Sequence, residues 1–471
     1  MNTTFHCSRR SFIKRSGAAG LGLASFSGLQ FAPSRSSAAA QAADESKWIH
    51  QITDTEIRAG VEAAVFKNLL PAATERVYPG HFTINADGGG FGGDTTWPGL
   101  DSWQMIGPYL QLGRTRMVLD YFEFVRASQR KDGNIPFAIF NGNTRPGGCL
   151  RGLKTPDDIF TYQPPRREGL PDSSQKTRQW IGLFQHWQTK GFPLSTLAPI
   201  CYVLTAAEIF AATDSPSWLR ERLGSVESAA QFLLTLRNDH GLIGGSGFYI
   251  EAPPREGFDG VTQCYAVHAF QKLATFFRAA GETAKAAAWS GHADKLAKSF
   301  SEAFWREDHF GEYIHPEHGL VDSHGLSDVN WAAVAFGLPN NEKLERLWPR
   351  LMSEPAFWAG DMPTQTVTKP FAYEKWESSR STDCSVGPLN DVAAMGRVWY
   401  LEAMACQRMK ARTRLVDSVR KVCRAARDGY WRERYHLKPD GTVSHDGSQK
   451  YCEYAAVLAR VVFGNRELFR P

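Results

Sequence analysis

The chain has 471 residues, 42% of them hydrophobic and 12% aromatic, with 54 Lys and Arg against 49 Asp and Glu. The formal excess of +5 sits wholly in the first 43 residues, as Arg9, Arg10, Lys14, Arg15 and Arg35, where no acid occurs. The remainder of the chain is neutral and has no basic run. That excludes an electrostatic footprint for nucleic acid or an anionic membrane surface, and no stretch of it is apolar enough to span a bilayer.

The N-terminal segment reads as an address. Residues 8–14, SRRSFIK, resemble a twin-arginine export signal nearly position by position. A mildly apolar stretch, Gly17 to Ala32, comes next, too weak and short for a membrane span. Small residues then run from Ser36 to Asp44, and cleavage after Ala40 or Ala42 fits the small-x-small rule. The expected division is a signal peptide, 1–43, and one domain, 44–471. The twin-arginine export machinery would carry that domain, already folded, to the periplasm or the exterior. Seven cysteines remain after the signal, scattered and without a C-x-x-C pair or zinc spacing. No haem, iron–sulfur or dinucleotide fingerprint is present, so neither a metal nor a cofactor is expected.

Beyond the signal, helical periodicity is broken by Gly and Pro at regular points. The predicted helices are Asp54–Leu70, Gly99–Leu112, Thr115–Arg130, Leu194–Ala212, Trp218–Arg237, Gly260–Ala280, Thr283–Trp305, Ser327–Phe336, Glu342–Met352, Asn390–Lys410, Arg412–Arg427 and Tyr451–Phe463. Short turns alternate with long connections, and a short turn makes its two helices antiparallel neighbours. Twelve such helices form five hairpins plus one helix at each end. If the first and last helices pair, the result is an all-α, closed double ring of six hairpins, an (α/α)6 toroid, with every long loop at one end. An open solenoid would need a repeat of fixed length, and none is present.

Long loops inside a compact domain carry function, and here they carry acids beside aromatics. The run from Gly88, GGGFGGDTTWPGLDSWQ, places Asp94, Trp97, Asp101 and Trp103 at a loop–helix junction. A carboxylate there can hold two sugar hydroxyls and an indole can cover an apolar sugar face; Pro98 and Asp101 also suit plain helix initiation. The run from Gly241, GLIGGSGFYIEAPPREGFDG, contains Glu251, Glu256 and Asp259. Glu251 follows an apolar Phe-Tyr-Ile stretch, the setting that raises a carboxyl pKa toward that of a general acid. Asp259 opens a helix and equally suits an N-cap. The run HPEHGLVDSHG from His315 is rich in metal-ligand types, but its Pro, Gly and spacing match no standard zinc site. Asp328 and Trp331 start the next helix, where capping and site lining are both open. In YWRERYHLKPDGTVSHDG, from Tyr430, Glu433 lies between Arg432 and Arg434 and is flanked by Trp431 and Tyr435. Glycosidic cleavage needs two carboxyl groups, one to protonate the leaving oxygen and one to activate water or attack the sugar. A Glu between arginines is also the ordinary composition of a surface ion pair.

WRERY with a downstream Asp-Gly turn resembles the late catalytic segment of the six-hairpin glycosidases: trehalases, processing α-glucosidases and α-L-rhamnosidases. In those families this Glu is the general base, so the resemblance implies that role for Glu433, although Arg432 separates it from Trp431 where rhamnosidases have Trp-Glu. Ser246-Gly247-Phe248 resembles their Ser-Gly-aromatic-Asp acid motif, but Tyr249 stands where Asp is expected. The acid is thus left open between Asp259 and Glu251, with Glu256 third; Glu453 is a reserve base. The aromatic-Asp segment with Asp94, Trp97, Asp101 and Trp103, and the Asp-x-Asn-aromatic start at Asp328 and Trp331, resemble sugar-contacting segments of the same families. The implied activity is an exported, exo-acting, inverting glycoside hydrolase on a carbohydrate substrate, with carboxyl groups roughly 6.5–9.5 Å apart. The rivals are a polysaccharide lyase on a similar toroid and a non-catalytic glycan-binding toroid.

Overall fold

The computed structural model describes residues 48–78, 81–84, 95–141, 159–162, 180–183, 195–245, 247–250, 253–378, 391–426, 428–447 and 450–469. The expected signal peptide lies outside the described residues.

Twelve long helices are found among them. α1 runs from Thr55–Glu62 through a π-helical segment, Ala63–Leu69, into Leu70–Ala72. The others are α2 (Leu100–Gln111), α3 (Thr115–Ala127), α4 (Leu197–Thr213), α5 (Pro216–Thr235), α6 (Gly260–Ala279), α7 (Thr283–Phe304), α8 (Asp328–Phe336), α9 (Asn341–Ser353), α10 (Gly396–Arg408), α11 (Arg412–Ala425) and α12 (Cys452–Gly464). All twelve fall where periodicity places them. The largest boundary difference is at α10, which starts at Gly396 rather than Asn390. The residues just before it are spent on backbone pairing, Ala394 exchanging both hydrogen bonds with Tyr435.

α2, α4, α6, α8, α10 and α12 pack each on the next, and α12 packs back on α2. This closes an inner ring. Each inner helix also packs on one outer helix, in the pairs α2/α3, α4/α5, α6/α7, α8/α9, α10/α11 and α12/α1. The first and last helices therefore supply the sixth hairpin, and α1 also touches α11 in the outer ring. Burial explains which helix goes where. All nine residues of α8 are buried, so it has no solvent face and must be internal. α11 buries only Leu415, Ser418, Val419, Val422 and Cys423, an i, i+3, i+4, i+7, i+8 stripe that suits an outer helix. Inside the ring, Trp103 of α2 meets Tyr265 of α6 and Tyr400 of α10 edge-on, at 5.7 and 5.3 Å between ring centres.

Every long connection leads into the N-terminus of an inner helix, so the points where they enter the ring lie at one end. They are not wholly irregular. Thr95–Thr96, Ala138–Asn141, Trp180–Leu183 and Ile159–Tyr162 form a four-stranded antiparallel sheet in that spatial order. Tyr313–His315 pairs with Phe258–Asp259 and Gly319–Val321, and Arg434–Leu437 pairs with Val443–Asp446. These strands are too short for alternation to announce them in the sequence. No helix among the described residues is long and apolar enough to cross a membrane.

Candidate active site

The N-terminal end of the inner ring holds two clusters of buried charge, each built on one arginine. Arg255 lies in the connection between α5 and α6. Its Nη1 meets Asp259 Oδ1 at 2.9 Å, its Nε meets Glu312 Oε1 at 2.7 Å and its Nη2 meets Asp328 Oδ1 at 2.8 Å. Burial opposes the charge of Arg255, but Asp328, Glu312 and Asp259 hold it protonated well above the usual range. Burial also pushes the Asp328 carboxyl up, to about 6, against the pull of Arg255 and with the help of neighbouring Asp259 and Glu312. Glu312 goes the other way. Burial raises it, but Arg255 and His324 outweigh burial and bring it to about 2. His324 is clasped between Glu312 (2.6 Å) and Glu377 (3.2 Å), with the Tyr373 ring stacked on it at 3.7 Å. Burial lowers its pKa, yet the two glutamates lift it to about 9.

Arg397, the second residue of α10, centres the other cluster. Its Nε donates to Glu453 at 3.0 Å, its Nη2 to Glu433 Oε1 at 3.2 Å and its Nη1 to the Tyr249 carbonyl at 3.3 Å. Glu433 Oε2 lies 2.9 Å from Arg434 Nη1, and Arg434 in turn pairs with Asp391 at 2.8 Å. Two glycines make this geometry possible. A Cβ on Gly396 would lie 2.6 Å from Glu453 Cβ, so only glycine lets the first turns of α10 and α12 approach closely enough. Gly447, at φ +85°, sits against Glu433, and a Cβ there would lie 2.5 Å from Glu433 Cβ.

Tyr249 joins the clusters. Its hydroxyl donates to Asp328 at 2.7 Å, its carbonyl accepts from Arg397, and the amide of the preceding Phe248 donates to Asp259 at 3.1 Å. Glu433, Glu453, Asp259 and Asp328 are therefore brought to one end of the ring and tied into one hydrogen-bonded chain. They are not equally available. Asp259 is 0% exposed and fills the N-cap role, its Oδ2 accepting from Thr262 N at 2.7 Å and Thr262 Oγ1 at 2.9 Å. Glu433 is 7% exposed.

The other expected residues divide sharply. Asp94 and Glu251 lie outside the described residues. Asp101 falls in the first turn of α2, and its side chain is likewise outside the description. Glu256 is half-buried, with Oε2 3.7 Å from His315 Nε2. The aromatic residues expected as open sugar walls are packing residues. Trp97 is buried edge-on to Phe137, and Trp103 fills the ring axis. Trp331 is buried between Trp348 and Phe357 with Arg414 over its ring. The Trp431 indole donates to Val422 O at 2.9 Å from full burial. Tyr435 is buried edge-on to Tyr454, its hydroxyl accepting from Arg432 N. Large rings bury the most area per residue, and that decided their place. The histidines of the run from His315 also separate: His324 joins the Arg255 cluster, while His318 stacks on Trp376 at 3.8 Å. Two shallow cavities, of 610 Å³ between α1 and α11 and 290 Å³ beside α5, lie on the outer ring and touch neither cluster.

Arg255, Arg397 and Glu312 are absent from the sequence expectations, and Tyr249 entered them only as the residue standing where Asp was expected. One signal for Arg397 was available: a lone cation inside the apolar run AAMGRVWYL at the start of an inner helix. Such a charge must be buried and paired.

No protein-family model matches the chain, and no curated protein matches it. Solved structures do. A rhamnosidase from Klebsiella oxytoca with rhamnose bound aligns at TM-score 0.54 and 11% identity, over 88% of this chain and 64% of its own. The GH63 mannosylglycerate hydrolase from Thermus thermophilus in complex with glucose aligns at TM-score 0.53 and 13% identity, over 78% of this chain and 92% of its own. The fold is the six-hairpin (α/α)6 toroid. A GH78 family rhamnosidase of Bacillus sp. GL1, at 17% identity and TM-score 0.43 over 60% of this chain, adds nothing to that assignment. The chain spans 26% of that protein's length and 64% of the Klebsiella enzyme's.

Proposed function

We propose that this toroid is a glycoside hydrolase that removes a terminal sugar with inversion, using Glu433 as the base. The observation that carries the reading is the placing of Glu433. It is a carboxylate at the loop end of the ring, held by Arg397 and Arg434, and Arg397 also grips the carbonyl of Tyr249. The segment containing Tyr249 leads directly to both acid candidates, Glu251 and Asp259. A base and an acid on opposite sides of a glycosidic bond are what inversion needs. The alignments to a rhamnosidase and a mannosylglycerate hydrolase agree with a glycosidic substrate.

Between the two acid candidates, the hydrogen bonding of Asp259 counts against it. All four partners of Asp259 are donors: Arg255 Nη1, Phe248 N, Thr262 N and Thr262 Oγ1. That setting suits a structural cap and leaves little room to give a proton to a leaving oxygen. A lyase would instead need a Tyr or His poised over a uronate beside a cation. Tyr313, Tyr373 and His324 are already tied to Glu312 and Glu377. The run SRRSFIK supports export of the folded protein; cytoplasmic retention of an Arg9→Lys/Arg10→Lys variant tests this, and undisturbed export would refute it.

The test of the activity is a panel of 4-nitrophenyl α-L-rhamnoside, α-D-mannoside and α-D-glucoside, with the first-formed anomer followed by NMR. Turnover of at least one with inversion is expected, abolished in Glu251→Gln and reduced but measurable in Asp259→Asn. Retention of configuration would refute the inverting mechanism. An unsaturated product from a uronate polymer would establish the lyase, and sugar binding without any turnover the glycan-binding toroid.

A further inference from the structure

Each oxygen of Glu433 meets a different arginine. Arg397 Nη2 takes Oε1 at 3.2 Å and Arg434 Nη1 takes Oε2 at 2.9 Å. Arg434 is itself held from its other side. Its Nε and Nη2 converge on a single oxygen, Asp391 Oδ1, at 2.9 and 2.8 Å. A guanidinium is planar, so two nitrogens fastened to one oxygen settle the direction in which the third points. Asp391 is 0% exposed and Arg434 4%. The stretch that carries Asp391 is fixed between two neighbours. On one side Thr366 Oγ1 donates to the carbonyls of Asp391 and Ala393, at 2.6 and 3.1 Å. On the other, Ala394 exchanges backbone hydrogen bonds of 2.8 and 3.0 Å with Tyr435, the residue after Arg434. Asp391 and Arg434 therefore stand on two backbone-paired segments, which leaves their ion pair little freedom to shift.

We propose that Asp391 is a positioning residue that acts on Glu433 through Arg434. This rests on Glu433 being the base. Asp391 fixes the plane of the guanidinium, and the guanidinium fixes Oε2. With Oε1 on Arg397, the carboxylate is then set in rotation as well as in place. Without Asp391, Arg434 turns freely and Glu433 is oriented by Arg397 alone. The negative charge of Asp391 is not what this role needs. Both of these bonds from Arg434 go to Oδ1, and the amide oxygen of an asparagine there can accept the same two. Alanine removes the acceptor altogether. A lysine in place of Arg434 keeps a cation beside Glu433 and loses the fork that joins it to Asp391.

The experiment compares Asp391→Ala, Asp391→Asn, Arg434→Lys and wild type on whichever 4-nitrophenyl glycoside of the panel is hydrolysed, with melting temperatures of all four. A misplacement of about 1 Å at a reacting group costs roughly 100-fold. The expectation for Asp391→Ala is a kcat lower by about that factor with KM within about twofold, the mark of an interaction that matters in the transition state. Asp391→Asn is expected to restore kcat to within about tenfold of wild type, since it returns the oxygen without the charge. Arg434→Lys should behave as Asp391→Ala does, and it carries the test if the alanine variant does not fold. A lower melting temperature with kcat of the folded fraction unchanged would make Asp391 a purely structural residue and overturn the proposal. An asparagine variant as slow as the alanine variant would also overturn it, because charge and not orientation would then be what Asp391 supplies. Full activity in Glu433→Gln would remove the base assignment itself, a result read without the Asp391 variants.

Discussion

Arg255 and Arg397 are both buried cations that gather acids at the same end of the ring, yet they leave those acids in different conditions. Around Arg255, Asp259, Asp328 and Glu312 are sealed, with every one of them at 2% exposure or less. Around Arg397, Glu453 is sealed but Glu433 keeps 7% of its surface and is bordered by a glycine. The same chemistry therefore serves two purposes. Three carboxylates packed on one guanidinium hold together the connection between α5 and α6, the connection before α8, and α8 itself. Two carboxylates on the other guanidinium leave one of them, Glu433, with part of its surface uncovered. A buried ion pair is by itself weak evidence for net stabilisation, but removing one partner is costly, and that asymmetry is what makes the contrast testable.

The largest effect is expected at Arg255. Arg255→Met leaves Asp259 and Asp328 in a dry site without their cation and Glu312 with His324 alone, and destabilisation of about 3–5 kcal/mol should follow in denaturant unfolding. A loss confined to activity, with stability intact, would erase the distinction between the clusters. Gly447 probes the other side. Gly447→Ala places a methyl group against Glu433 at a backbone angle that L-residues avoid, so kcat should fall by up to about 100-fold with a cost in stability of only about 1–2 kcal/mol. An unchanged kcat would mean that Glu433 does not need its present position.

A third effect is a pH dependence carried by the Arg255 cluster. His324 is raised from its usual 6.5 to about 9, so its clasp contributes stability that is full below about pH 6.5 and is lost as pH rises through about 9. Glu312, lowered from 4.5 to about 2, contributes stability that is full above about pH 4.5 and is lost as pH falls through about 2. Asp328 is an acid raised from 3.8 to about 6, so its contribution is full below about pH 3.8 and declines as pH rises through about 6. Melting temperatures of His324→Gln between pH 6 and 10 should lack the alkaline decline of the wild type; an identical decline would place its cause elsewhere.

The scaffold was legible because its information is local. Helix periodicity, turn residues and the alternation of short and long connections are all read within a few residues, and ring closure follows from the count of hairpins. Inner and outer helices differ in a way the sequence carries openly, as α8 and α11 illustrate. The site was legible only in part. Glu433 stands in a local motif and could be found. Arg397 could not be assigned its partners, because Tyr249 is 148 positions away and Glu453 is 56. The aromatic neighbours misled for a physical reason: a ring beside an acid suggests a sugar wall, but Trp331 and Trp431 gain more from burial in the interior than from lining a mouth. Asp259 carries a similar ambiguity: the sequence offers it both as an N-cap and as an acid, and the structure shows the capping contacts.

The most direct measurement is the activity of Glu433→Gln beside wild type on the glycoside that the panel selects, with melting temperatures of both. The substitution keeps the shape of the side chain and removes its basicity. The account predicts a kcat lower by about 10²–10⁴-fold, the usual worth of a general base, in a protein that remains folded. Turnover equal to that of wild type would contradict it.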